Sequence, residues 1–169
     1  MKLSYREETF VSNDFILYFF THISETLNLD SNEFEGSLPA GLGLLTDIET
    51  LSLRDNQFEG IIPTLLGKLD DIKTLSLNGN KLSGPIPSQL GSCFRLTTLH
   101  LHNNKLTGTI PLELGELAGL SNFKMESNGF EGATMPTQVC GLRDDDLSIL
   151  TSDCKNAKKV ACDCCTECH

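Results

Sequence analysis

The stretch Leu51-Ser-Leu-Arg-Asp-Asn-Gln-Phe-Glu-Gly-Ile-Ile-Pro-Thr-Leu-Leu-Gly-Lys-Leu69, with Ile72 three residues on, is one unit of a pattern that recurs every 24 residues. Asn32, Asn56, Asn80, Asn104 and Asn128 mark the period. Leu27, Leu51, Leu75, Leu99 and Phe123 stand five places before each Asn, and Leu29, Leu53, Leu77, Leu101 and Met125 three before. Phe34, Phe58, Leu82, Leu106 and Phe130 stand two after; Gly36, Gly60, Gly84, Gly108 and Gly132 four after; Pro39, Pro63, Pro87 and Pro111 seven after. Agreement of so many residue types at one period identifies an array of stacked units.

Each unit is read as follows. Leu51 and Leu53 alternate with Thr50, Ser52 and Arg54, the period-two pattern of a short strand with one buried face. Because every strand returns to the same edge after 24 residues, successive strands stack in parallel, and no unit buries its leucines without its neighbours. The Asn ends the strand; an inward amide satisfies backbone groups that the bend would leave unpaired. The Gly–x–Ile–Pro half is extended, since proline fixes φ and lacks an N–H. Leu66, Leu90, Leu114, Leu69 and Leu117 face the core, Gly67, Gly91 and Gly115 are read as corner residues, and Cys93, in register with Leu69 and Leu117, as a small buried hydrophobe.

The unit resembles the plant-specific leucine-rich repeat, whose hallmark is the G-x-I-P-x-x-L-G-x-L half. Four clean copies span Glu25 to Leu120, and a fifth, Ser121 to Leu142, carries one inserted residue before Pro136. The resemblance implies an α/β-class solenoid, a right-handed superhelix with one parallel β-sheet, about five 24-residue repeats and two caps. The expected division is a cap or degenerate repeat over residues 1–24, repeats over 25–142 and a cysteine-rich cap over 143–169. Leu3, Tyr5, Glu8, Phe10 and Ser12 fall where a decayed repeat would place its markers. The apolar run Phe15–Phe20 follows Glu7, Glu8 and Asp14 and is too short to span a bilayer; a cap is preferred to a poor signal or anchor, or a sequence boundary.

Six of the seven cysteines, Cys140, Cys154, Cys162, Cys164, Cys165 and Cys168, crowd the C-terminal end and read as a disulfide-stapled cap. Fifteen pairings are open, among which Cys140–Cys154 closes a modest loop around Leu142, Leu147, Ile149 and Leu150. Cys162, Cys164, Cys165, Cys168 and His169 could instead ligate zinc, though ligands packed into eight residues match a structural zinc site poorly. The tail is similar to the ends of leucine-rich repeat proteins from diatoms and related algae.

Formal charge is −10, and the acidic residues are spread along the chain. That excludes the basic stripe of a nucleic-acid binder and disfavours anionic lipid surfaces. Asp144–Asp146 reads as solvated loop. Cysteine usage points to an oxidising compartment, extracellular or cell surface, while no N-x-Ser/Thr sequon occurs among eleven asparagines. Nothing resembles a catalytic motif, so no enzyme, cofactor or metal is expected. Membrane attachment is expected only through a segment beyond this chain.

Outward strand positions form columns: Asn28, Ser52, Ser76, His100 and Lys124; Asp30, Arg54, Asn78, His102 and Glu126; Thr26, Thr50, Thr74, Thr98 and Asn122. Asp30, Arg54, Asn78, His100, His102, Lys124 and Glu126 are the candidate partner-binding residues. His100 and His102 share one side of a strand and read as surface or partner-contact residues, or, with Glu126 or Asn78 as third ligand, as half of a metal site. The columns lack large aromatics, so contact there is polar. The resemblance implies a protein- or peptide-recognition module of cell-surface signalling or defence. The alternatives are a structural or adhesive surface protein and an inhibitor like the plant polygalacturonase inhibitors, which share this repeat.

Overall fold

The computed structural model describes residues 25–130, 133–142, 147–152, 164–165 and 167–168. The N-terminal cap, the Asp144–Asp146 run, Gly132, Cys154, Cys162 and His169 lie outside the described residues.

The period-two stretches form strands β1 (Thr26–Asn28), β3 (Thr50–Ser52), β5 (Thr74–Ser76), β7 (Thr98–His100) and β9 (Asn122–Lys124). They pair in parallel and in chain order, with Thr26, Thr50, Thr74, Thr98 and Asn122 in one register. Two strands that the period did not reveal continue the sheet: β10 (Ile149–Ser152) beside β9, and β11 (Glu167–Cys168) beside β10. Asn122 pairs with Ile149, a spacing of 27 rather than 24, which hid β10 from a fixed-period reading.

The extended half of each repeat builds a second, four-stranded parallel sheet from β2 (Glu35–Ser37), β4 (Gln57–Ile61), β6 (Lys81–Gly84) and β8 (Lys105–Leu106). The expected single sheet is therefore joined by another. Each proline then opens a 3₁₀ helix: Ala40–Leu44, Thr64–Lys68, Ser88–Ser92 and Leu112–Glu116. The prolines sit at φ between −65° and −63°, their intrinsic value, so they start each turn without strain. In the fifth unit a short α-helix, Thr137–Gly141, takes that place.

Between the sheets and helices lies an apolar core. Leu51, Leu53, Leu66, Leu69 and Ile72 are fully buried, as are their counterparts in the following units. Phe34 and Phe58 stack 6.1 Å apart at 15°, one turn above the other. Cys93 lies in this core as a free thiol and donates weakly to the Leu66 carbonyl at 3.5 Å.

The asparagine ladder locks the turns together. Nδ2 of Asn80 donates to the carbonyls of Leu77 (3.1 Å) and Asn78 (3.3 Å) in its own turn and to Leu53 (3.0 Å) in the turn before. Its Oδ1 accepts from the Phe58 N–H at 3.0 Å. Asn56, Asn104 and Asn128 repeat this set at the same offsets, and Asn32 makes the bonds within its own turn.

Gly43, Gly67, Gly91 and Gly115 are not in the left-handed region, so corner formation does not explain them. A Cβ at Gly43, Gly67 or Gly91 would collide with the backbone carbonyl of Leu65, Gln89 or Glu113 in the next turn, and one at Gly115 with Gln138. Glycine here lets successive helices touch backbone to backbone.

Asn80→Ala should leave buried backbone groups unpaired and cost about 1–3 kcal/mol in denaturant unfolding. Gly67→Ala should cost a further, independent ~1–3 kcal/mol through overpacking. Lys105→Ala, at an exposed position, should change stability by less than about 0.5 kcal/mol. Equal midpoints for Asn80→Ala and Lys105→Ala would overturn the assigned role of the ladder.

Candidate functional site: the strand face

Strand alternation turns Leu51-type residues inward and the residues between them outward, onto the exposed face of the seven-stranded sheet. The registers place Asn28, Ser52, Ser76, His100 and Lys124 in one row and extend it to Thr151 and Glu167. The columns read from the sequence therefore exist, but their exposure is uneven. Ser52, Ser76 and Asn78 are buried between their neighbours, so Asn78 does not present a free side chain as an outward column position was expected to.

Two polar groups divide the face. At one end Asp30 accepts hydrogen bonds from the Ser52 hydroxyl and the Arg54 N–H, and pairs with Arg54 Nε at 3.0 Å. The Arg54 charge is thus already matched within the molecule. Towards the middle of the sheet His100, His102, Lys124 and Glu126 come together over β7 and β9. The His100 and His102 rings meet edge to face with centroids 5.6 Å apart. Glu126 accepts a bond from the Thr151 hydroxyl on β10. Arg54 and Asp30 belong to turns two and three strands away and do not join this group.

Burial lowers both imidazoles below the ordinary histidine value of 6.5. For His100 the side chain of Asn122 acts in the opposite direction, while His102 and Lys124 lower it and Glu126 raises it. For His102, Glu126 and Asp55 favour the charged form and Lys124 opposes it. The Asn122 side chain approaches His100, yet no aligned hydrogen bond reaches His100 Nε2 or Asn122 Oδ1. His102 Nδ1 and Asn78 Oδ1 are likewise buried without a hydrogen-bond partner.

Sequence reading missed Thr151 as a member of this face. The alternation Ile149-Leu-Thr-Ser152 was its signal, but the cysteine-rich context assigned the segment to a cap. Asn122 was placed in its column but not among the binding residues.

At the C-terminal end Cys140 is bonded to Cys164, not to Cys154. Their separation is 24 residues, one repeat period, so the bridge ties one turn to the turn stacked on it, with Cα atoms 5.5 Å apart. Cys140 sits on the short helix Thr137–Gly141, and Cys154 lies outside the described residues. Cys165 is disulfide-bonded as well. These bonds remove two thiolates from the zinc set considered above.

Leucine-rich repeat family models match residues 25–45, 47–69, 71–93 and 95–117, more than half of the chain. The chain belongs to the leucine-rich repeat family. No curated protein sequence matches it. Among solved structures it is similar to the BIR2 ectodomain of Arabidopsis thaliana, at 32% identity and TM-score 0.63 over 66% of this chain and 58% of that one. It is similar to the Arabidopsis receptor kinase HAESA, solved with the peptide hormone IDA and the co-receptor SERK1, at 35% identity and TM-score 0.70 over 76% of this chain and 22% of that one. The ectodomain of the Arabidopsis thaliana receptor kinase SOBIR1 aligns at 27% identity and TM-score 0.72, over 82% of this chain and 73% of that one. The chain thus spans 58% of the BIR2 ectodomain and 22% of HAESA. No helix among the described residues is long and apolar enough to cross a membrane.

Both histidines are lowered, so the folded state favours their neutral form. Its stability is full above pH 6.5 and falls as pH drops through that value towards the lowered folded one. The double variant His100→Gln, His102→Gln should flatten this loss between about pH 7 and pH 5 in thermal melts. Burial, with Asp70 adding, pushes the Cys93 thiol up from 9.0 to about 11. It should therefore resist alkylation at pH 8 until the protein is unfolded.

Proposed function

We propose that this chain is a non-catalytic recognition module, binding a protein or peptide on the strand face outside the cell. The observation that carries the reading is the His100, His102, Lys124 and Glu126 group: a polar array on a rigid sheet, with Lys124 in no ion pair among the described residues. The side chains are held by the core and the ladder, so binding costs little ordering entropy. The structural neighbours support a protein or peptide partner, since HAESA is solved with a peptide hormone and a co-receptor. The Cys140–Cys164 bridge and the ectodomain neighbours support an extracellular setting. The proposed organisation is a cap over residues 1–24, repeats over 25–142 and a disulfide-tied end over 143–169. A role in signalling or defence is the corresponding proposal for the pathway. Asp30 and Arg54 are assigned the flank of the site, where their mutual pairing limits what either contributes.

The test is capture of partners from the extracellular fluid of the native cells. His102→Ala and Lys124→Glu should each weaken capture by about 1 kcal/mol or more, with unchanged circular dichroism. Lys105→Glu, on the opposite sheet, should not. Loss of the partner by Lys105→Glu with retention by the other two would move the site off the strand face.

A further inference from the structure

The buried polar side-chain atoms without hydrogen-bond partners are not scattered among the described residues. Asn78 Oδ1, His100 Nε2, His102 Nδ1 and Asn122 Oδ1 all lie on the strand face, in the three neighbouring turns of β5, β7 and β9. Buried polar atoms are nearly always paired, because an unpaired one retains its full desolvation penalty. An amide oxygen offers an electron pair to a donor or a cation, and a neutral imidazole offers one from whichever ring nitrogen lacks the proton.

The histidines narrow the choice. They are two residues apart on one strand, so both project from the same side. Two imidazoles that share one ion through bonds of about 2.0–2.1 Å at a near-tetrahedral angle have ring centres roughly 5–5.5 Å apart. The observed centroids are 5.6 Å apart, with the rings inclined by 70°. Imidazole donors suit nickel, copper and zinc, whereas calcium and magnesium require oxygen sets.

The charges around the pair come from several turns. On β9 and just beyond it, Lys124 faces His100 and Glu126 faces His102; Asp55 acts on His102 from the other side. Ser76 and Asn78, on the neighbouring turn, are uncharged. Glu126 offers a carboxylate to a cation, and Lys124 opposes one. No set of three or more His, Cys, Asp or Glu among the described residues is arranged to hold an ion by itself. Such a site has two imidazole ligands, with its other positions open to an amide oxygen, water or a group from a bound molecule, and the Glu126 carboxylate acts on it as a nearby charge.

We propose that His100 and His102 form a two-imidazole binding site for one divalent transition-metal ion of the nickel, copper and zinc group, with Glu126 as a nearby negative charge. The site needs no partner to form, so it stands or falls separately from the recognition function.

The test uses the intact, oxidised full-length chain titrated with Zn²⁺, Ni²⁺ and Co²⁺ at pH 7.5 by calorimetry. One ion per chain is expected. His100→Ala and His102→Ala should each weaken binding by at least about tenfold, since loss even of a group that merely orients a ligand costs roughly 10–100-fold. Glu126→Gln should weaken binding and Lys124→Gln should strengthen it, while proton competition should weaken it as the pH falls. The Co²⁺ complex should show the visible bands of nitrogen and oxygen ligation without the intense near-ultraviolet thiolate band that the cysteine-rich tail would give. Absence of binding at millimolar ion, affinity unchanged in both histidine variants, or a thiolate band would overturn the site.

Discussion

The hydrogen bonds from each ladder asparagine to the turn before it are the constraint on which the molecule depends. A chain that leaves a strand and reverses must expose carbonyls and N–H groups inside the bend, and a solenoid does so at every turn. Asn80 meets this with one side chain that reaches back 27 residues to the Leu53 carbonyl and accepts from Phe58 N–H 22 residues back. Those offsets straddle the 24-residue period, so each amide grips both flanks of the neighbouring bend. Because each turn contacts only its neighbours, stability is close to a sum of such interfaces. The ladder therefore fixes the stacking distance that the leucines then fill.

The helix side imposes the complementary limit. The ladder and the sheet hold turns one strand spacing apart, and any bulk on the opposite side would splay them. Glycine at 43, 67, 91 and 115 removes that bulk where the 3₁₀ helices meet. The exposed ion pairs Lys73–Glu49 and Arg95–Asp71 also join residues 24 apart, but at the surface they contribute little. Stacking is thus set by a buried amide on one side and by absent side chains on the other.

This division explains what could be read from the residues. Leucine, asparagine and proline registers declare the fold because each type has one physical task per turn, and Cys93 follows from its register alone. The second sheet was not legible: β2, with the sequence Glu35-Gly-Ser37, carries no apolar alternation, since its pairing is a backbone property imposed by stacking. β10 escaped because the spacing lengthens to 27. The Cys140–Cys164 bridge could have been weighed from its 24-residue separation, but local loop size made Cys140–Cys154 more attractive. On the strand face the columns were legible and the burial was not. Whether Asn78 stands free depends on the width of its neighbours across strands, which a single unit does not contain.

The same division says why the strand face can carry specificity. Ladder and core positions lie at fixed offsets, and changing one disturbs two turns at once. The residues between them in each strand, such as Ser52, Ser76, His100 and Lys124 in one row, lie outside the ladder and the apolar core and differ in chemistry from turn to turn. Where they meet partners inside the molecule, as Ser52 and Arg54 do with Asp30, the face is self-satisfied and offers little to another molecule. Where they do not, as around His100 and His102, unpaired donors and acceptors are held rigidly in place. Polar atoms left unpaired inside the molecule gain most from an external ligand, and this asymmetry along one sheet, rather than its overall charge, distinguishes the His100 and His102 group from the Asp30 and Arg54 pair.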